Sequence, residues 1–148
     1  MNRLLGFLFL ITIIACNSDS TNRNPYLQEI NFSFDANLNL PLYSPLTNTG
    51  SAIYVQSETA GTRGVFIINS GFTGSNQFRA FEASCPNHAP NNCSTMSLNG
   101  QVVTCSCEEY QYSLFTGQLL IRPDDGNRYY DMLEYRTSFS GNTVIISN

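Results

Sequence analysis

The chain has 148 residues, with seven arginines, no lysine and 11 acidic residues, which gives a formal net charge of −4. A chain of this length is long enough for one domain with a substantial core. Binding to nucleic acid requires a basic face, so this charge balance excludes nucleic acid as a partner. The 42% of hydrophobic residues also excludes a disordered chain.

The N-terminus resembles a bacterial lipoprotein signal peptide. Arg3 precedes an apolar run over residues 4–14, which is too short to span a bilayer as a helix. Cys16 follows Ala15 where this run gives way to a polar segment, at the position of the cysteine that lipoproteins acylate. The alternative is an ordinary signal peptide with an incidental cysteine. We expect a signal peptide over residues 1–15, lipidation at Cys16 and a flexible tether over residues 16–25, followed by a folded domain over residues 26–148.

Lipidation implies a membrane partner and a place in the bacterial cell envelope. Several acyl chains would anchor the protein stably, because each buried CH₂ contributes about 0.8 kcal/mol. Asn17 follows the cysteine, whereas an Asp there would suggest retention in the inner membrane. By resemblance to these sorting rules, we expect the outer membrane.

The mature chain has the pattern of short β-strands, without a window of helical periodicity. Alternating or fully apolar runs lie at residues 30–34, 38–40, 52–55, 65–68, 77–83, 101–104, 110–114, 119–121, 132–139 and 143–146. Asn99-Gly100 is a strong hairpin signal before one of these runs. Leu42, Tyr43 and Leu46 are predicted to close one end of a barrel. Nine or ten short strands predict an all-β sandwich or small barrel.

Residues 81–117 contain every cysteine except Cys16, and also His88, the only histidine. Two cysteine-bearing loops are joined there by a strand, which indicates an iron–sulfur site or a disulfide clasp. Four cysteines form an even set, and in an oxidising envelope they favour two disulfides. The sequence leaves all three connectivities open.

The two loops resemble those of Rieske domains, which carry C-x-H in the first loop and C-x-x-H in the second, followed by T-G. The matching segments are Cys85-Pro86-Asn87-His88, then Cys105 to Glu108, then Tyr112 and Thr116-Gly117. The resemblance covers the mature domain. It implies a Rieske-like small antiparallel sandwich or barrel with a two-loop cysteine subdomain.

The same resemblance implies a degenerate cluster site. Cys85 and Cys105 take the thiolate positions, His88 stands one residue later than the first histidine, and Glu108 replaces the second. Two histidine ligands on one iron define a Rieske [2Fe–2S] centre, and this chain has one histidine. Glu109 also replaces a loop glycine. We therefore expect no metal and no cofactor, with an atypical [2Fe–2S] centre as the alternative.

A disulfide pairing is also implied by the resemblance. Respiratory Rieske proteins join the second cysteine of each loop, which corresponds to Cys93 and Cys107 here. Cys85 and Cys105 would then remain to pair with each other. Each bridge would contribute about 3 kcal/mol in the chain-entropy model.

The expected function is not enzymatic. Nucleophilic catalysis would depend on the lone His88 as base, and no cofactor motif is present. We expect a structural or interaction role with an envelope protein that the sequence does not name. Electron transfer through an atypical [2Fe–2S] centre is the competing hypothesis, and a zinc site or a redox-active disulfide are further alternatives.

Overall fold

The computed structural model describes residues 24–148. These residues form nine strands: β1 Ser33–Asn37, β2 Ala52–Val55, β3 Val65–Asn69, β4 Phe78–Glu82, β5 Ser97–Asn99, β6 Val102–Thr104, β7 Gln111–Ser113, β8 Glu134–Ser140 and β9 Thr143–Ser147. Two short 3₁₀ helices, Ser44–Thr47 and Gly74–Asn76, are the helices of this part of the chain. No helix among residues 24–148 is long and apolar enough to cross a bilayer. The predicted signal peptide, Cys16 and most of the predicted tether lie outside the described residues.

The strands form two antiparallel sheets. A six-stranded sheet has the order β1-β9-β8-β4-β3-β2, and a three-stranded sheet has the order β5-β6-β7. The smaller sheet and the loops at its ends carry all four cysteines of the described chain. The prediction of an all-β fold with a two-loop cysteine subdomain is therefore confirmed.

Strand β3 contributes to two cores because both of its faces are buried. Val65 and Ile67 pack into one apolar cluster with β8 and β9 residues, while Phe66 and Ile68 pack into a second cluster. The second cluster also contains Phe81 and the β6 and β7 side chains that lie beneath the cysteine loops. Burial of each such side chain contributes about 1.5–3 kcal/mol. The large sheet thus supports the cysteine subdomain through its own central strand.

Three strand predictions were wrong in position or type. The first strand covers Ser33–Asn37 instead of residues 30–34. Residues 38–40 form a turn, because the Asn39 N–H bonds to the side chain of Asn37 at 3.0 Å and Pro41 follows. Residues 119–121 form no strand, since only Leu119 makes a bridge and Ile121 is 80% exposed.

The three residues predicted to close one end of a barrel differ in their burial. Leu46 is fully buried in the first cluster, and Tyr43 packs against it. Leu42 is 54% exposed instead. The bend around Pro41 and Pro45 therefore turns one side of the segment inward and leaves the other in solvent.

Glu82 is a buried acidic residue that holds the segment leading into the first cysteine loop. It ends β4, has no exposed surface, and accepts hydrogen bonds from the backbone N–H groups of Thr62 (2.5 Å), Arg63 (3.0 Å) and Ser84 (2.8 Å). The hydroxyl of Tyr135 donates a fourth bond at 2.7 Å. Burial, together with the Glu82 carboxylate, raises the pKa of Tyr135 well above its usual range. Four donors compensate the desolvation of this carboxylate.

Candidate disulfide and metal site

Two loops build the site, the first over residues 83–96 between β4 and β5, the second over residues 105–110 between β6 and β7. Backbone bonds close the first loop, from Cys85 N–H to Ser94 O at 2.7 Å and from Met96 N–H to Ala83 O at 2.9 Å. The second loop is closed by the Cys105 N–H, which donates to Tyr110 O at 2.8 Å. Both loops therefore begin from rigid strand ends, which fixes the two cysteines that open them.

Glu109 holds a strained position in the second loop. Its φ of 62° makes it the single non-glycine residue with positive φ among residues 24–148. Its N–H donates to Cys105 O at 2.9 Å, so this backbone turn closes the loop. A left-handed conformation costs an L-residue roughly 1–2 kcal/mol, whereas glycine adopts it freely. The strain falls at the position where the resemblance places a glycine.

We expect Glu109→Gly to stabilise the domain by about 0.5–1 kcal/mol. Glycine removes the strain of the positive φ, and its greater conformational entropy in the unfolded state offsets part of this gain. Thermal unfolding measures the effect. Ser106→Gly is the matched control in the same loop, since its φ is not positive, and it should destabilise by a similar amount. Equal destabilisation by the two substitutions would contradict the strain at Glu109.

The four cysteines lie in two pairs. Cys93 and Cys107 have sulfurs at disulfide distance and Cα atoms 5.5 Å apart. Cys85 and Cys105 are paired in the same way, with Cα atoms 5.6 Å apart and no exposed surface. This connectivity is the one that the resemblance implied. The outer pair, Cys93 and Cys107, lies toward solvent, and the inner pair lies in the second core cluster.

His88 and Glu108 converge on the inner pair. The donor atoms of Cys85, His88, Cys105 and Glu108 all lie within 4.8 Å of one another. Oε2 of Glu108 is 2.9 Å from Sγ of Cys105, 3.6 Å from Sγ of Cys85 and 3.4 Å from Nε2 of His88. Nε2 of His88 is 3.5 Å from Sγ of Cys105. The extra residue before His88 in the first loop thus does not keep its ring from the site.

The His88 ring is held by its other nitrogen. Nδ1 lies 2.8 Å from the carbonyl oxygen of Ala89. When Nδ1 carries the proton and donates to this carbonyl, Nε2 is left as a lone pair that faces the sulfurs and Glu108. Metal-binding histidines are oriented by the same kind of backbone contact.

Asn87 connects the first loop to the rest of the subdomain, a role that the sequence did not indicate. Its side-chain amide donates to Tyr112 Oη at 2.7 Å and to Tyr130 O at 2.9 Å, and its Oδ1 accepts from the Tyr130 N–H at 2.8 Å. Burial raises the pKa of Tyr112 above its usual range, so its phenol stays neutral. Asn24 also donates to the carbonyl of Pro86 at 2.7 Å. The loop is therefore fixed at Pro86 and at Asn87.

Asn91 shapes the outer part of the first loop. Its Oδ1 accepts from the Cys93 N–H at 2.9 Å, and its N–H donates to Ser94 Oγ at 2.6 Å. Arg63 donates to the Asn91 carbonyl at 2.8 Å. Asn residues commonly bond to the backbone two residues later, so the segment Asn91-Asn92-Cys93 carried a turn signal that could have identified this role.

A cleft of about 450 Å³ opens beside Glu108. It is lined by Tyr26, Asn87, Glu108, Tyr110, Asn127, Arg128, Tyr129 and Tyr130. The side chain of Glu108 is 32% exposed and that of His88 15% exposed. Solvent and small ions therefore reach Glu108, which lies beside the buried inner pair.

Comparison with known proteins gives the fold a name. The chain is 18% identical to the cyanobacterial plasma membrane Rieske protein from Synechocystis PCC 6803, with a TM-score of 0.52, and the match covers 76% of this chain and 97% of that one. The fold is Rieske-like. The chain is also 18% identical to the quaternary ammonium Rieske monooxygenase CntA in its apo form, with a TM-score of 0.50 over 79% of this chain and 32% of the oxygenase. No family model and no curated protein sequence matches the chain.

The donor set of the Rieske-like site does not fit a [2Fe–2S] cluster of the Rieske type. That cluster requires two thiolates on one iron and two imidazoles on the other. His88 is the only histidine of the chain, and Glu108 stands in place of the second imidazole. The sulfurs of Cys85 and Cys105 also lie at bonding distance from each other. The four donor atoms all lie within 4.8 Å of one another, whereas a Rieske cluster holds its thiolates and its imidazoles on two different irons.

Proposed function

We propose that this protein is a lipid-anchored module of the bacterial cell envelope, with a structural or interaction role and no iron–sulfur cluster. The observation that carries the proposal is the pairing of Cys85 with Cys105 at the position where a Rieske domain holds its first iron. Glu108 in place of the second histidine supports it as well. The proposed role is not enzymatic, because nucleophilic catalysis would depend on the lone His88 as base.

Electron transfer through an atypical [2Fe–2S] centre is the second candidate. It is supported by the convergence of Cys85, His88, Cys105 and Glu108 within 4.8 Å. In that case Glu108 would serve as an anionic fourth ligand. A carboxylate is harder than imidazole and would not reproduce the raised reduction potential of a Rieske centre.

We expect the full chain, purified in detergent without contact with air, to be colourless and free of iron. Its four domain cysteines should not react with a thiol reagent in denaturant, because both pairs are oxidised. Visible absorbance, an iron assay and mass after alkylation measure these properties. A brown-red protein with about two irons per chain would contradict the proposal and support electron transfer. A colourless protein with four blocked cysteines would eliminate the electron-transfer candidate.

We further propose that Cys16 carries the anchor and that the anchor lies in the outer membrane. The similarity to a Rieske protein of the cyanobacterial plasma membrane supports a membrane location. Because a thioether to lipid requires the cysteine sulfur, Cys16→Ser should abolish incorporation of labelled palmitate, while Ser18→Ala should leave it unchanged. Sucrose-gradient fractionation should find the native chain with outer-membrane vesicles and the Asn17→Asp variant with the inner membrane. A native chain without label would contradict lipidation.

A further inference from the structure

We propose that the reduced protein binds one divalent ion of the zinc class through Cys85, His88, Cys105 and Glu108, and that the Cys85–Cys105 disulfide is the ion-free alternative of the same site. The two loops would then be closed either by a sulfur–sulfur bond or by an ion. This inference adds a second state to the disulfide-closed form and does not depend on the lipid anchor.

Three of the six distances between the four donors match a single tetrahedral ion. Zinc lies about 2.3 Å from sulfur and about 2.0–2.2 Å from nitrogen or oxygen, so its ligands are separated from each other by roughly 3.3–3.8 Å. Three of the observed separations are 3.4 Å between His88 and Glu108, 3.5 Å between His88 and Cys105, and 3.6 Å between Cys85 and Glu108. A fourth distance, between Cys105 and Glu108, is 2.9 Å and needs to lengthen by less than 1 Å. The sulfurs of Cys85 and Cys105 are paired in the oxidised form and move apart when the disulfide is reduced. The sixth pair, Cys85 and His88, lies within 4.8 Å.

The orientation of the ligands supports the same conclusion. The contact of His88 Nδ1 with Ala89 O leaves Nε2 free to bind an ion. Asn87 fixes the first loop through Tyr112 and Tyr130, and these bonds do not depend on the state of the cysteines. The loops therefore keep the four donors together after the inner disulfide opens.

Charge also favours a dication in the reduced state. Two thiolates and the Glu108 carboxylate would place three negative charges within one site that is largely buried. Among the described residues, no arginine pairs with Glu108, whose Oε2 lies 3.4 Å from Nε2 of His88. A bound dication neutralises most of this charge, and it can enter through the cleft beside Glu108.

Reduction of the Cys85–Cys105 disulfide requires an electron donor, and a dithiol protein of the thiol oxidoreductase class can serve as one. That dithiol supplies two electrons and two protons by thiol–disulfide exchange, leaves as a disulfide, and converts Cys85 and Cys105 into thiols. Binding of the ion then displaces both thiol protons to solvent. Oxidation by a protein disulfide reverses the sequence, with release of the ion and return of two electrons.

The test uses the full chain in detergent, reduced with a phosphine and freed of reductant under argon. Because the phosphine opens both disulfides, the same measurements are made on the variant with Cys93→Ser and Cys107→Ser, in which Cys85 and Cys105 are the domain thiols. We expect the reduced form to bind one Zn²⁺ per chain with release of about two protons, and the oxidised form to bind none at this site. Co²⁺ should give the visible bands of a tetrahedral ion with sulfur ligands. Zn²⁺ should also raise the unfolding temperature of the reduced form alone, because it binds the folded state.

Substitutions identify the ligands. Glu108→Gln and His88→Ala should each weaken Zn²⁺ binding by more than about 100-fold, since loss of an outer partner alone costs about 10–100-fold. Glu109→Gln is the matched control, because Glu109 is adjacent and is not one of the converging donors; its affinity should be unchanged. Absence of Zn²⁺ from the reduced native chain would overturn the proposal. Equal affinity in the Glu108, His88 and native proteins would also overturn it, because thiolates alone would then hold the ion.

Discussion

Replacement of Glu82 by alanine is expected to lower the free energy of unfolding by about 4 kcal/mol. The carboxylate accepts three backbone N–H bonds, from Thr62, Arg63 and Ser84, and the hydroxyl bond of Tyr135. A buried donor without its partner costs about 1–3 kcal/mol, and water that enters the space left by the side chain recovers part of the sum. Urea unfolding at neutral pH measures the loss.

Two further variants separate the carboxylate from its neighbours. Tyr135→Phe removes one donor and leaves the other three in place, so it should cost about 1.5 kcal/mol. Glu134→Ala removes the exposed acid of the adjacent strand, which pairs with Arg79 at 2.6 Å, and should cost less than about 1 kcal/mol. If the Glu82 variant were as stable as the Glu134 variant, the four hydrogen bonds to the Glu82 carboxylate would not stabilise the domain, and the prediction would be wrong.

The strands that the sequence predicted well are those whose pattern and burial agree. β3 reads as a continuous apolar run and is buried on both faces. The hairpin of β8 and β9 follows from alternation around a Gly-Asn turn, and its register pairs Ser140 with Thr143. In both cases the order of apolar and polar residues along the strand agrees with which side chains the fold buries.

The failed strand at residues 119–121 shows where such a pattern is insufficient. Leu119, Leu120 and Ile121 are apolar and β-prone, yet the Leu119 N–H donates to Asp131 at 2.9 Å instead of to a continuous neighbouring strand. Leu120 and Ile121 remain exposed. A partner 12 residues away along the chain decides the outcome, and no periodicity within the segment reveals it.

The sequence predicted the residues that converge on the site, and it did not predict the hydrogen bonds that hold the loops in place. The motif spacing placed Cys85, His88, Cys105 and Glu108 in one site, and the structure brings these four residues together. Asn87 was not predicted, because its three bonds reach Tyr112 and Tyr130, 25 and 43 residues away. Side-chain bonds over such distances leave no local signal in the sequence.

Loss of both disulfides is expected to leave the domain close to its unfolding threshold. The bridges Cys93–Cys107 and Cys85–Cys105 close loops with sequence separations of 14 and 20 residues. In the chain-entropy model each contributes about 3 kcal/mol, so together they supply about 6 kcal/mol, comparable with the total stability of about 5–15 kcal/mol of many domains. Urea unfolding of the native chain with and without reductant measures the combined effect.

The two pairs can be distinguished by their depth. Cys93→Ser with Cys107→Ser removes the solvent-facing bridge and should cost about 3 kcal/mol. Cys85→Ala with Cys105→Ala should cost more, because Cys85 and Cys105 are fully buried and their sulfurs pack in the second core cluster. Limited reductant should open the outer bridge first, since a thiolate reaches an exposed sulfur more readily. An outer-pair variant with native stability, or an inner bridge that opens first, would contradict a buried clasp at the centre of this Rieske-like site.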